Sequence, residues 1–332
     1  MRTSVRRFAL AAAPALIALP VLAAPGASAA ARGPNHIAFH MGDHRIDESS
    51  GLAASIRFPG VTYTHNDSGD SARVFAVGPN GKTRAELRLA GFVARDWEAI
   101  GMGRDGQGRP AVYVADTGDN LGGAWPNVAV FRFPEPSGLT DRSVHATRFR
   151  MKYADGPRNA EAIMIDPRDN RLYVISKEWN GGIYRAPKHL RADRMNILHR
   201  VGDAPSMATD ASYAPDGSSF VIRTYFSAQF YDRIGHAVTT SFLPSQKQGE
   251  SITYERGGRS LLIGSEGRNS PVWRIPVPDG LRPKPAPKPT NAAQPGKAAP
   301  KDGGGGNSTL TGLVIVLAIA AVVVFVVRRR RG

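Results

Sequence analysis

The sequence contains no cysteine in 332 residues, so no disulfide framework supports the fold and an ordinary apolar core must do so. A chain of this length is large enough to bury one. Helical periodicity is almost absent between residues 33 and 280, which argues against a helical or α/β architecture. There is no His-Glu-x-x-His and no phosphate-binding loop. Gly249-Glu250-Ser251-Ile252-Thr253 misses the nucleophile-elbow pattern because its fifth residue is not glycine. These absences speak against a zinc peptidase and a conventional serine hydrolase.

Excess charge is missing where it would matter. The chain carries a formal +15, but 13 of its 43 Lys and Arg lie in residues 1–32 and 281–332, against one of its 28 Asp and Glu. Residues 33–280 are therefore near +3. The basic excess sits in the chain ends, so no nucleic-acid partner is expected.

The ends read as export and anchoring signals. Arg2, Arg6 and Arg7 precede an apolar run from Phe8 to Leu22, and Ala27-Ser28-Ala29 fits a cleavage site, which makes residues 1–29 a signal peptide. Leu310 to Val327 is charge-free and about long enough to span a bilayer, and Arg328 to Arg331 follow as a cytoplasmic stop-transfer cluster (residues 328–332 forming the tail). Residues 281–309 alternate Lys and Pro and then run through Gly303 to Gly306. That composition gives an extended spacer reaching on the order of 80 Å. The expected topology is a single-pass membrane protein with its domain, residues 33–280, outside the cell.

Within that domain one pattern recurs. An acidic residue opens a short apolar strand, a turn reverses the chain, and a β-branched strand returns to a polar cluster. The acidic anchors are Glu48, Glu98, Glu161, Asp210 and Glu250. Their spacings of roughly 40 to 60 residues match a four-stranded propeller blade. Pro79-Asn80-Gly81, Asp166-Pro167-Arg168-Asp169-Asn170 and Pro215-Asp216-Gly217 supply the reversals. The expected fold is all-β, a propeller of five four-stranded blades, with six as the alternative. The last unit has three strands, and His36-Ile37-Ala38-Phe39-His40 is the expected fourth, pairing beside Trp273.

Glu48-Ser49-Ser50-Gly51-Leu52, Asn66-Asp67-Ser68-Gly69-Asp70, Asp96-Trp97-Glu98-Ala99-Ile100 and Asp116-Thr117-Gly118-Asp119-Asn120 resemble an actinobacterial family of exported β-propeller proteins. Its members carry WD-repeat-like or phytase-like labels. The resemblance covers about residues 35–278 and implies a propeller fold and an envelope location. Blades of true WD repeats end in Trp-Asp, and those of this chain do not.

In such a fold the start of each first strand and the end of each second strand lie at one mouth of the central channel. Glu48, Glu98, Glu161, Asp210 and Glu250 would ring that mouth, joined by Asp67, Asp116, Lys177, Arg223 and Glu266. Crowded carboxylates raise one another's pKa unless a cation shares the site. That cation is either Ca²⁺, which favours oxygen ligands, or Lys177 and Arg223. Asp67, Asp70, Asp116 and Asp119 lie in loops with the composition of Ca²⁺-ligating turns, which Asx-turns explain equally well. His65 is the candidate general base, with a packing role as its alternative. Two functions follow. One is an envelope-anchored module that binds an extracellular small molecule, glycan or protein at the acidic mouth. The other is a Ca²⁺-dependent ester or phosphoester hydrolase of phytase-like type.

Overall fold

The computed structural model describes residues 35–67 and 69–283. The expected signal peptide, the expected 281–309 spacer beyond residue 283, the expected membrane-spanning segment at 310–327 and the basic tail lie outside the described residues. Among the described residues no helix is long and apolar enough to cross a membrane.

The chain is all-β and β-propeller-like. Strand β1 (His36–His40) comes first. Unit one holds β2 (Ser49–Ala54), β3 (Thr62–Asn66), β4 (Arg73–Val77) and β5 (Thr83–Leu89). Unit two holds β6 (Trp97–Arg104), β7 (Pro110–Asp116) and β8 (Val128–Pro134), then a short β9 (Arg142–Val144) and β10 (Thr147–Tyr153). Unit three holds β11 (Ala160–Asp166), β12 (Arg171–Ser176), β13 (Gly182–Arg185) and β14 (Asn196–Asp203). Unit four holds β15 (Ala208–Tyr213), β16 (Phe220–Thr224), β17 (Ser227–Arg233) and β18 (His236–Phe242). Unit five holds β19 (Gly249–Tyr254), β20 (Ser260–Ser265) and β21 (Pro271–Pro276).

Strand pairing follows this grouping. Unit five takes β1 as its fourth strand, in the order β1-β21-β20-β19, with Ile37 opposite Trp273. Units two and three are joined into one larger sheet because their outer strands β10 and β14 pair in parallel. The excursion between β8 and β10 places β9 alongside β5 of unit one, again in parallel. That detour accounts for the greater length of unit two.

The burial pattern explains the strand sequences. First and second strands are covered on both faces, and β11 and β3 are buried at every position. Such strands read as continuous apolar runs, for example Leu172-Tyr173-Val174-Ile175. Outer strands face solvent on one side, and β10 alternates with period two. The core is not one mass but five layers, each shared by two consecutive units. Tyr63, Val74, Trp97, Ile100 and Phe131 fill the layer between units one and two. Similar layers separate units two and three, three and four, and four and five. The fifth, with Phe39, Met41, Leu52, Phe75, Leu262 and Val272, joins unit five back to unit one. The first strands accordingly touch in a closed cycle, β2 to β6 to β11 to β15 to β19 to β2.

Closure is tight at one turn. Gly81 sits in the β4–β5 reversal at φ +75°, a conformation costly for other residues. A Cβ there would also collide with the carbonyl of His40, while Gly42 donates its N–H to the Gly81 carbonyl at 3.0 Å. After β21 a 3₁₀ turn, Asp279–Leu281, seats Leu281 against the fourth layer.

Because β1 and the fifth layer close the cycle, deleting residues 35–41 is expected to lower the stability of the whole domain in one cooperative step. Phe39→Ala should cost about 3 kcal/mol, the low end for a buried phenylalanine. Thermal unfolding followed by tryptophan fluorescence checks this, since Trp97 lies in a different layer. An unchanged melting temperature in the deletion would show that closure does not stabilise the ring.

Candidate functional site

All five first strands carry a β-bulge near their start. The register against the second strand slips between Ser49 and Gly51, Trp97 and Ala99, Ala160 and Ala162, Ala208 and Asp210, and Gly249 and Ile252. A bulge adds an unpaired residue and re-aims its side chain. The residues so placed are Ser50, Glu98, Glu161, Thr209 and Glu250, the last together with Ser251. Three of the five positions are therefore glutamates at the same end of the channel. At the other two, hydroxyls tie neighbouring units together: Ser50 Oγ donates to the Glu98 carbonyl at 3.0 Å and Thr209 Oγ1 to the Glu250 carbonyl at 2.8 Å.

Around these glutamates the structure gathers further carboxylates from second-strand ends and loops. Oxygens of Asp67, Asp96 and Glu98 lie within 4.8 Å of one another. Burial pushes the Glu98 carboxyl well above its ordinary range, and the negative charges of Glu161, Asp67 and Asp96 push it further. Burial likewise raises Glu161, opposed by Lys177, whose Nζ lies 2.5 Å from Glu161 Oε2 and 4.9 Å from the centre of the Tyr225 ring. Glu250 is pushed up to about 8 by burial and by Glu161, and Glu266 to about 7 by burial, Asp67 and Glu48. Six carboxylates, Asp67, Asp96, Glu98, Glu161, Glu250 and Glu266, thus share one mouth with Lys177.

The remaining sequence candidates have other roles. Glu48 is exposed, and its carbonyl accepts from the Asp67 N–H. Asp210, one residue past the bulge, is wholly buried between units four and five and accepts from the Ile252 and Ala211 N–H groups at 2.7 and 2.8 Å. Arg223 is equally buried and donates to the carbonyls of Ser251 and Gly264 and to Gln246 Oε1. Burial lowers its pKa to about 10, so it stays charged at neutral pH, with Glu250 and Asp210 as its counter-charges. Both therefore join two units rather than line the mouth.

Asp116 accepts from the Asp96 N–H at 3.0 Å and faces Arg95. Asp70 is engaged by Arg73 and by Asn66 Nδ2. Asp119 accepts from the Ala124 and Trp125 N–H groups, as an Asx-type loop anchor does. Of the four loop aspartates, only Asp67 joins the carboxylate cluster. Asp96, not singled out as a ligand from the sequence, joins it too.

His65 is fully buried, with its edge toward Trp97 at 6.0 Å between ring centres. Nδ1 lies 2.8 Å from the Asn66 carbonyl, and Nε2 faces Gly51, where a Cβ would come within 2.9 Å of it. Burial lowers its pKa to about 4. The ring is a neutral packing element inside the layer between units one and two, which is the packing alternative and not the place for a general base.

Large apolar side chains are exposed around the same mouth. Trp179 is 80% exposed in the β12–β13 loop and Phe226 78% in the β16–β17 turn. Val93, Leu121 and Phe242 are exposed in the β5–β6 loop, the β7–β8 loop and the end of β18. Each of these positions adjoins the start of a first strand or the end of a second, hence the acidic end. Only two other large apolar side chains are exposed among the described residues, Ile37 and Val238, and both lie within outer strands. The opposite end of the channel holds a cavity of about 440 Å³, lined by the far ends of the first strands with Arg104, Asn170, Tyr213 and Arg256. No carboxylate lines it, so cavity and acidic cluster are separate features.

No known family's sequence profile matches the chain, and no curated protein matches it. Among solved structures it is similar to a gluconolactonase of Xanthomonas campestris, at 14% identity and a TM-score of 0.44, over 75% of this chain and 99% of that one. It is also similar to the hydrazine synthase of Kuenenia stuttgartiensis, at 16% identity and a TM-score of 0.37, over 66% of this chain and 56% of that one.

Raised carboxylate pKa values fix the sign of a pH effect. Glu250 binds its proton more tightly folded than unfolded, so its contribution is full below about pH 4 and is lost as pH rises through about 8. In chelator, the melting temperature should fall between pH 5 and 8.5, and Glu250→Gln should fall less steeply. Identical slopes in the two proteins would place Glu250 in ordinary solvent.

Proposed function

We propose that the chain is a five-bladed propeller, exported and held at the cell membrane by its 310–327 segment, that works as a binding module. Its partner docks on the acidic mouth and carries positive charge flanked by apolar surface, as a basic segment of another extracellular protein does. One observation carries this reading: the exposed aromatic and aliphatic side chains gather at the end that also concentrates the carboxylates. Exposed apolar patches on a stable domain mark interaction surfaces, and a field of one sign selects partners of the other. Aromatic rings beside carboxylates also favour cations, as Lys177 over Tyr225 illustrates within the mouth itself.

Chain direction supports the anchored arrangement. Strand β21 begins at the mouth end and finishes at Pro276, opposite Ser260, and β1 enters at His36 opposite Arg274. Both described ends of the chain thus leave from the side away from the mouth.

A second reading, cation-dependent ester hydrolysis, draws on Glu98. Burial and neighbouring charge let it keep its proton at neutral pH, as a general acid must, beside carboxylates able to act as base. Turnover of nitrophenyl esters that Glu98→Gln abolishes would favour it over the binding module.

The binding reading is tested with a peptide of alternating Lys and Leu residues titrated onto the protein. Affinity should weaken about tenfold as salt rises from low to several times physiological, as exposed charge attraction is screened. Trp179→Ala and Phe226→Ala should each weaken it by about tenfold, the effect of removing one anchoring aromatic. Both side chains project into solvent, so the fold should survive. Salt-independent binding, or binding indifferent to both substitutions, would overturn the reading.

A further inference from the structure

We infer that Asp67, Asp96 and Glu98 form a divalent-cation site, with Ca²⁺ as its occupant, set into the mouth of the channel. The inference deepens the binding-module reading and rests on the same end of the ring. Three observations carry it.

The first is geometric. The three carboxylate oxygens lie within 4.8 Å of one another. Ca²⁺ holds oxygens at about 2.4 Å, so ligands on opposite sides of the ion stand about 4.8 Å apart and adjacent ones closer. Oxygens this close can share one ion after small side-chain shifts. The donors are hard oxygens only, which suits Ca²⁺ and not a thiolate- or imidazole-seeking metal.

The second is an unmet hydrogen-bonding need. Glu98 is 3% exposed, yet its Oε1 has no hydrogen-bond partner among the described residues. Leaving a buried carboxylate oxygen unpaired is costly, and a bound cation removes that cost. Lys177 does not reach it, because that amine is placed on Glu161 at 2.5 Å.

The third is space kept open. A Cβ on Gly118 would collide with Glu98 Oε1 and with both Cγ and Oδ2 of Asp96. Gly118 does not need its glycine for backbone reasons, since it is not among the residues with positive φ. Its missing side chain keeps those two carboxylates free to converge. Oε1 therefore faces the Asp96 carboxylate, the direction a shared ion requires.

These ligands come from two units. Asp67 follows β3 of unit one, whereas Asp96 and Glu98 open β6 of unit two. An ion there bridges two neighbouring units at the rim and leaves Glu161, Lys177, Glu250 and Glu266 to face a ligand.

The test uses the full-length protein stripped with chelator and titrated with CaCl₂ by calorimetry and with TbCl₃ by luminescence. Trp97 stands between two of the ligands and should sensitise bound Tb³⁺. One saturable site is expected, displaced by Ca²⁺, with a rise in melting temperature that grows with Ca²⁺ concentration. Glu98→Gln keeps the shape but removes a charge, and should abolish the saturable signal while circular dichroism stays unchanged. Gly118→Ala should abolish it as well. No saturable binding by the wild-type chain would overturn the site, as would binding unchanged in Glu98→Gln. The Lys/Leu peptide is titrated in parallel with chelator present. Peptide binding without Ca²⁺ binding sinks only the metal site, and Ca²⁺ binding without peptide binding sinks only the docking reading.

Discussion

The structure depends on one apolar layer that neither end of the domain can make alone. Phe39, Met41, Leu262 and Val272 from the last unit meet Ile46, Leu52, Phe75 and Val77 from the first. Every other layer lies between units consecutive in the chain and could form locally. This one must wait until more than two hundred residues have been placed, so the loop-closure entropy of the ring falls on it. Without it, units one and five would each present a broad apolar face to water. With it, each unit has two covered faces, and apolar runs such as Leu172-Tyr173-Val174-Ile175, buried on both faces of the sheet, become tolerable.

Closure in turn makes the acidic mouth possible. Carboxylates brought this close and this far from water resist ionisation, and only a rigid frame holds them there. The frame uses a repeated device, the bulge at the start of each first strand. In units one and four the device serves the frame itself, through Ser50 and Thr209 bonded to the next unit's carbonyl. In units two, three and five it delivers a glutamate. One local distortion is thus spent on stability at two positions and on chemistry at three. Asp210 and Arg223 strengthen the joint between units four and five, where the mouth needs Glu250 held firmly.

Much of this was legible in the sequence, for reasons that can be named. The reversals at Asn80-Gly81, Asn170 and Asp216-Gly217 announced themselves because the chain there adopts positive φ at Gly81, Asn170 and Gly217, which few residues accept. The four-strand grouping and the pairing of residues 36–40 beside Trp273 followed from strand lengths and the need to cover an edge. The site was only half legible. Acidic residues were natural markers of the repeat, yet a bulge leaves no compositional trace. Glu48 and Asp210 were therefore aligned with Glu98, although Ser50 and Thr209 occupy the matching positions. Arg223 sits where a mouth-facing cation would be expected from the strand pattern, but its length lets it turn into the joint and reach backbone carbonyls. Strand β9 is not legible in the sequence because three largely exposed residues, pairing with a different unit, carry no periodicity. Asp96 carries no local signal of its role, since its partner Asp67 lies in another unit and their proximity is set by tertiary packing alone.

The exit of the chain has a mechanical consequence. Strand β21 and its neighbour β1 are antiparallel, and the chain leaves β21 at the end where β1 begins. A pull on the chain beyond residue 283 would therefore enter the sheet through the last residue of β21, Pro276. The short turn after β21 stands in the way. Leu281 is seated in the fourth layer, and Arg282 donates to the Val277 carbonyl at 2.7 Å while pairing with Asp279 at 2.5 Å. Tension must first dislodge these contacts before it reaches Pro276. The turn thus acts as a strain relief, like the clamp on a cable, between the last strand and the chain beyond it.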